Sequence, residues 1–205
     1  MLKLIALITM LIDHVGFIFF PYDLTWRLIG RLAFPIFAFG IAEGYTYTRD
    51  WRKYLLRLLI LAIISQPIFL LTFKSSDLNV VFTLAGGLLL IHCYESLKSW
   101  FLKYLSIILV LVSAWYFNFE YGALGVLLIL VFYIFRKKPF FFIIIGSLIF
   151  VVYSIMNQHL IYLGSIAALF LIQSISQKKL KLGRYFFYIF YPGHLLVLYL
   201  LSQWL

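Results

Sequence analysis

Long apolar runs separated by short polar breaks fill almost the whole sequence. Most runs approach the roughly 20 residues that a helix needs to cross the core of a bilayer, and none alternates as a barrel strand does. A backbone surrounded by lipid must satisfy its own hydrogen bonds, which favours helices. The pattern predicts nine helices, at Leu2 to Phe20, Trp26 to Tyr47, Tyr54 to Phe73, Val80 to Ser96, Phe101 to Phe117, Gly122 to Phe135, Phe140 to Ile155, Leu160 to Ser176 and Phe186 to Leu205.

The basic residues are distributed unevenly among the breaks. If the N-terminus is cytoplasmic, all but three of the 17 lysines and arginines fall on the inner side, as the positive-inside rule requires. The outer three are Arg27, Arg31 and Lys74, and the inner breaks hold Lys3, Arg49, Arg52, Lys53, Arg57, Lys98, Lys103, Arg136, Lys137, Lys138, Lys178, Lys179, Lys181 and Arg184. We therefore predict an all-α, polytopic transmembrane helix bundle of about nine spans with a cytoplasmic N-terminus.

Composition supports this topology. Hydrophobic residues make up 65% of the 205 residues and charged residues only 12%, which leaves no material for a water-soluble surface. We expect a single transmembrane domain over residues 1–205, in contact with membrane lipid in the cytoplasmic membrane. The first run contains Asp13 and lacks a small-residue cleavage site, so we expect it to be retained as a helix.

The net charge of +10 follows from the loop bias, so we predict no nucleic-acid partner. Cys93 is the only cysteine and lies in an apolar run. A cysteine metal site is therefore excluded, and we predict no metal site.

Ionisable residues inside apolar runs are functional candidates, because a charge in a bilayer is costly unless it is paired or hydrated. Asp13 and Arg31 lie at similar depths below the outer ends of the first two helices, so we predict an ion pair, with a mere clamp between helices as the alternative. Adjacent helical positions point about 100° apart, so His14 faces elsewhere. Histidine exchanges a proton near neutral pH, which makes His14 a candidate catalytic base or else a satisfied structural histidine.

Three further groups are candidates. His194 follows Pro192 and Gly193, which would loosen the last helix and admit water or substrate, so His194 has either a functional or a structural role. Asn79 precedes the fourth helix, where it lines a substrate path or caps the helix. Gln66-Pro67 is expected to interrupt the third helix, where it lines a substrate path or forms a kink.

Glu43 lines a cavity or bonds to a neighbouring helix. It precedes the pair Arg49 and Arg52, with Lys53 and Arg57 close behind. This concentration of positive charge suits phosphate groups but is also expected from topology alone.

Several of these residues lie in stretches that resemble the TraX family of bacterial membrane proteins. The most specific are KLIALITMLIDHVG at Lys3 to Gly16 and GRLAFPIFAF at Gly30 to Phe39, followed by Ala42-Glu43-Gly44. NVVFTL at Asn79 to Leu84 and FYIFYPGH at Phe187 to His194 are similar to it as well. The resemblance covers nearly the whole chain.

This resemblance implies an acyltransferase that uses acetyl-CoA, because the family is similar to multi-helix membrane acyltransferases that modify sugars and surface polymers. It implies that His14 is the catalytic base and that Arg49-Asp50-Trp51-Arg52 meets coenzyme A, with Glu43 nearby. The acceptor would be an amine or hydroxyl of a peptide, sugar or surface polymer at or across the membrane. Asp13 and Arg31 would hold the catalytic cavity, which His194 and Asn79 would line.

Two other classes of function remain open at this point. A proton-coupled carrier or flippase would use Asp13, His14, Glu43 and His194 as a relay. A non-catalytic pilus or surface assembly factor would need none of these side chains for chemistry.

Overall fold

The computed structural model describes residues 1–175 and 186–204. These residues form ten α-helices, namely α1 (Leu2–Phe19), α2 (Leu24–Gly30), α3 (Ala33–Tyr47), α4 (Trp51–Phe73), α5 (Val80–Ser96), α6 (Trp100–Tyr116), α7 (Gly122–Phe135), α8 (Pro139–Asn157), α9 (Ser165–Ser174) and α10 (Phe186–Ser202). A short 3₁₀ helix, Leu160–Gly164, precedes α9. Within the described ranges the regular structure is helical, so the predicted all-α helix bundle is confirmed.

The helices correspond to the nine predicted runs, because α2 with α3 forms the second run and the 3₁₀ helix with α9 forms the eighth. In the described part of the chain, four segments are long and apolar enough to cross a membrane, namely Leu2–Phe19, Leu24–Tyr47, Trp51–Phe73 and Pro139–Asn157. Five shorter apolar segments accompany them, at Val80–Ser96, Trp100–Tyr116, Gly122–Phe135, Leu160–Ser174 and Phe186–Ser202.

The second predicted run is divided at Arg31 and Leu32, which separate α2 from α3. Pro35 in the first turn of α3 explains the break, because proline has no N–H for the carbonyl four residues earlier and its ring crowds that carbonyl. That carbonyl belongs to Arg31, and it instead accepts a hydrogen bond from the Ser165 hydroxyl at 3.0 Å. The break therefore places the Arg31 side chain between two helices.

Gln66-Pro67 does not break the third predicted helix. Helix α4 runs unbroken from Trp51 to Phe73 with Pro67 inside it. Proline is tolerated in membrane helices where neighbouring groups satisfy the freed backbone. Gln66 joins α4 to the segment before α5. Its amide donates to the Asp77 carbonyl at 2.8 Å, and its Oε1 accepts from the Asn79 backbone N–H at 3.0 Å.

Helices α1 and α10 pack side by side and run in the same direction. The Lys3 ammonium lies 5.3 Å from the centre of the Phe187 ring, and further along both helices His14 meets His194. A first and a last span that are parallel are what an odd number of crossings requires. The predicted inner residues Lys178, Lys179, Lys181 and Arg184 lie outside the described residues, as do the predicted ends at Ser176 and Leu205.

The predicted orientation can be measured with single cysteines. In a Cys93→Ser background, Lys74→Cys lies between α4 and α5 and Lys138→Cys lies between α7 and α8. We expect a membrane-impermeant maleimide to label Lys74→Cys in intact cells, and to label Lys138→Cys only after the inner surface is exposed in inverted vesicles. The reverse pattern would contradict a cytoplasmic N-terminus.

Candidate functional site: a paired charge, a histidine pair and a cavity

The predicted ion pair between Asp13 and Arg31 is confirmed. Arg31 donates from Nη2 to Asp13 Oδ2 at 2.6 Å, and the two residues are only 5% and 8% exposed. Arg27 Nη1 lies 3.4 Å from the same carboxylate oxygen. Two arginines therefore surround one buried carboxylate, and the short contact to Arg31 offsets much of the cost of taking both charges out of water.

Close packing fixes this pair. A Cβ at Gly30 would lie 2.2 Å from Asp13 Oδ1, so only glycine lets α1 approach α2 this closely. Arg31 also donates from Nη1 to the Tyr121 hydroxyl at 3.4 Å, and the Tyr121 ring stacks on Phe34 with centroids 3.6 Å apart. The guanidinium therefore joins α1 and the α2–α3 break to the start of α7.

The neighbouring residue, His14, points away from this pair and meets His194 of α10. Nδ1 of His14 lies 2.8 Å from Nε2 of His194. On its other side, His194 bonds through Nδ1 to the carbonyl of Phe190 at 2.7 Å. Both histidines are 8% exposed, so the two candidate residues from opposite ends of the chain form one buried, hydrogen-bonded pair.

A cavity of about 530 Å³ lies among α1, α3, α4, α5 and α10, within the range of small-molecule sites, about 300–1,000 Å³. On α1 it is lined by Lys3, Leu7 and Met10, and on α10 by Phe187, Tyr188 and Tyr191. Those α1 positions share one helical face with His14, which lies one turn beyond Met10. The Tyr191 and His194 ring centroids are 5.7 Å apart, so the cavity ends next to the histidine pair.

The lining has one basic end and a largely apolar interior. Lys3 at the start of α1 and Arg57 in the second turn of α4 are the basic side chains among the described lining residues. A rise of 1.5 Å per residue places His14 about 16 Å along α1 from Lys3. A long, mainly apolar ligand with an anionic end matches this distribution.

Three buried polar atoms near the site have no hydrogen-bond partner in the described part of the chain: Asp13 Oδ1, Arg31 Nε and Tyr191 Oη. Buried polar atoms are normally satisfied by protein, ligand or ordered water. In the loop before α7, burial raises the pKa of Glu120 to about 7, although nearby Arg31 opposes this shift. Burial therefore favours the uncharged form of this carboxyl more than water would.

The structure places the residues predicted to bind a cofactor apart from this cavity. Arg49 and Arg52 are exposed at the junction of α3 and α4 and do not line it. Glu43 borders a second cavity of about 570 Å³, together with Arg136 and Lys137 near the end of α7. The role of these residues in cofactor binding stays a prediction.

Asn79 does not line either described cavity. It is fully buried and its side chain accepts from the Val81 backbone at 3.0 Å, as an N-cap of α5 does. Its amide also donates to the Ala62 carbonyl at 2.9 Å and to Gln66 Oε1 at 2.8 Å. Of its two predicted roles, these contacts support the cap.

Sequence analysis missed several residues of the site. Arg27 and Lys3 carried a usable signal, because Arg27 is four residues before Arg31 and Lys3 lies on the His14 face of α1. Tyr121 and Glu120 carried none, because only the folded chain brings the segment before α7 to Arg31. Arg57 was placed in the basic cluster suited to phosphate groups, and it is the member of that cluster that borders the cavity.

These features define an all-α membrane protein with a buried charged and imidazole site inside its helix bundle. The model of the TraX protein family matches residues 1–202, so the chain belongs to the TraX family, as the sequence motifs predicted.

Two relatives show how far the similarity extends. The protein named "Probable fimbrial assembly protein FimC, serogroup H1" of Dichelobacter nodosus is 31% identical over 226 residues, which cover 96% of this chain and 92% of that protein. "Uncharacterized protein RP591" of Rickettsia prowazekii (strain Madrid E) is 30% identical over 129 residues, which cover 60% of this chain and 50% of that protein. No solved structure matches the chain.

The arrangement predicts a graded response to removal of its cations. Arg31→Ala leaves Asp13 buried without its closest partner and should cost about 3–5 kcal/mol of stability. Arg27→Ala should cost about 1 kcal/mol or less, because Arg27 is partly exposed and lies further from the carboxylate. Thermal unfolding in detergent measures both.

Lys53→Ala is the matched control, because Lys53 pairs with Asp50 at 3.4 Å on the surface. This variant should leave the midpoint of thermal unfolding unchanged. Equal losses for Arg31→Ala and Arg27→Ala would contradict the assignment of Arg31 as the principal partner.

Proposed function

We propose that this protein acts in the assembly or modification of a bacterial surface appendage, as a multi-pass protein of the cytoplasmic membrane. The observation that carries the proposal is the similarity to a named fimbrial assembly protein over 96% of this chain and 92% of that relative. Similarity over both whole chains supports a shared role better than a shared segment would. The basic loops predicted on one side support the cytoplasmic membrane.

Deletion of the gene in its own bacterium tests this role. We expect surface fibres to be lost or sharply reduced in electron micrographs, or their subunits to change in mass, and the intact gene to restore them. Fibres with unchanged number, length and subunit mass in the deletion strain would contradict the proposal.

Complementation with a His14→Ala variant separates a catalytic role from a non-catalytic one. A non-catalytic assembly factor restores the fibres without His14, whereas an enzyme that uses this imidazole does not. Immunoblotting of membranes must find equal amounts of variant and native protein.

A catalytic role as an acyltransferase is the second candidate, and the buried histidine pair at the end of the cavity favours it. The lining suits the charged end of an acyl-CoA, because Lys3 and Arg57 offer cations to its phosphates. Such a donor supplies an acyl group activated as a thioester. Peptides, sugars and surface polymers are the acceptor classes, and acetyl-CoA is the proposed donor.

In this reaction His14 acts as the general base. It takes the proton of the acceptor's amine or hydroxyl as that nitrogen or oxygen bonds to the acyl carbon and the carbon–sulfur bond breaks. His14 then returns the proton to the leaving sulfur. Asp13 and Arg31 hold α1 in place. His14 does not line the cavity, and Met10 and Tyr191 form the wall nearest to it. The proposed proton transfer therefore requires these two side chains to move aside.

Acetyl-CoA binding to the purified protein tests the donor site. We expect calorimetry to detect binding to the native protein, and Lys3→Ala with Arg57→Ala to weaken it about tenfold through lost phosphate contacts. The matched double variant, Arg49→Ala with Arg52→Ala, shows whether the pair that the sequence motif predicted contributes to acetyl-CoA affinity. Absence of binding would exclude the acyltransferase, and proton-coupled substrate uptake by liposomes containing the protein would then favour a carrier that uses Asp13, His14, Glu43 and His194.

A further inference from the structure

His194 and the backbone of α10 determine which nitrogen of His14 carries its hydrogen. A carbonyl oxygen can only accept, so Nδ1 of His194 must donate to Phe190 across their 2.7 Å contact. In a neutral imidazole the other nitrogen then has a lone pair, so Nε2 of His194 accepts. His14 must therefore donate from Nδ1 across the 2.8 Å contact, which leaves Nε2 of His14 as the nitrogen that can take a proton.

The ring geometry agrees with this assignment. The two imidazole planes differ by 9° and their centroids lie 5.0 Å apart, which is the arrangement of rings joined edge to edge by an in-plane hydrogen bond. The Phe190 ring stacks on His194 with centroids 4.9 Å apart, and the edge of Phe73 meets His14 at 4.9 Å. These aromatic rings restrict rotation of both imidazoles.

A purely structural pair explains less of this geometry. Nδ1 of His14 bonds to His194, whereas no described residue bonds to Nε2 of His14, and this nitrogen is not among the fully buried polar atoms without a partner. That nitrogen is also the one left with a lone pair. The chain of bonds from the Phe190 carbonyl therefore ends at an unoccupied proton acceptor.

We infer that His194 is a positioning residue, which fixes the tautomer and orientation of His14 so that Nε2 is the base. This inference depends on the proposed acyl transfer for its purpose, but the tautomer can be measured without it. The sequence predicted that His194 lines the catalytic cavity. The structure does not place His194 in the cavity lining, so the positioning role is a different assignment.

The tautomer is measured by NMR of protein labelled with ¹⁵N-histidine in lipid nanodiscs, at a pH where both rings are neutral. The chain has only four histidines, and His14→Gln assigns the signals of His14. We expect His14 to carry its hydrogen on Nδ1. In His194→Leu the acceptor is lost, and we expect the Nε2–H tautomer of His14 to appear.

His194→Gln is the conservative variant, because its amide oxygen reaches the place of Nε2 and accepts the same bond. It should keep the native tautomer of His14, while His159→Gln, in an exposed loop, should change nothing. A hydrogen on Nε2 of His14 in the native protein would overturn the inference. An unchanged His14 tautomer in His194→Leu would overturn it equally, and if that variant fails to fold, the native spectrum decides.

Acyl transfer is a second readout. We expect His194→Leu to lower kcat about 10- to 100-fold, as loss of an orienting hydrogen bond does elsewhere, with KM for the donor unchanged. His194→Gln should recover most of the rate. If the native protein transfers no acyl group, the proposed acyltransferase function fails, whereas the NMR result alone still decides the tautomer.

Discussion

The ion pair between Asp13 and Arg31 is the interaction on which the rest of the site depends. An unpaired charge inside an apolar bundle costs several kcal/mol, so the helices must bring these two side chains together. Gly30 permits the approach of α1 to α2, and the Arg31 carbonyl bonds to Ser165 where Pro35 has divided the helix. Because His14 is the next residue along α1, the direction of its imidazole follows from that of Asp13.

Helices and their order could be predicted from hydropathy, because each apolar run must form its own backbone hydrogen bonds. The pairing of Asp13 with Arg31 was also predictable, since depth along two neighbouring antiparallel helices follows from residue counts. The contact of His14 with His194 was not, because residue counts do not say which helices of a bundle are neighbours. The continuous α4 shows the same limit, since the amide that donates to the Ala62 carbonyl, in the turn before Pro67, belongs to Asn79.

The basic residues show how topology can mask a site. Arg49 and Arg52 are close together in sequence and attract attention, yet Lys3 and Arg57 are the ones that border the cavity. Positive charge is common on the inner side of any membrane protein, so charge alone cannot distinguish an anchor for phosphate from an orienting signal. What distinguishes Lys3 is its spacing from Leu7, Met10 and His14, which places all four on one face of α1.

The histidine pair bears on whether this member of the TraX family is an enzyme. A scaffold for assembly needs only well-packed helices, and apolar side chains of similar size are often at least as stabilising in a core as buried polar pairs. Two imidazoles joined to each other and to a backbone carbonyl therefore stabilise the contact of α1 with α10 no better than apolar side chains would. A need to hold one ring nitrogen in position for a proton would explain why polar rings are found there. His14 lies one turn of α1 beyond Met10 of the cavity wall, and the proposed acyl transfer is the function that would use such a nitrogen.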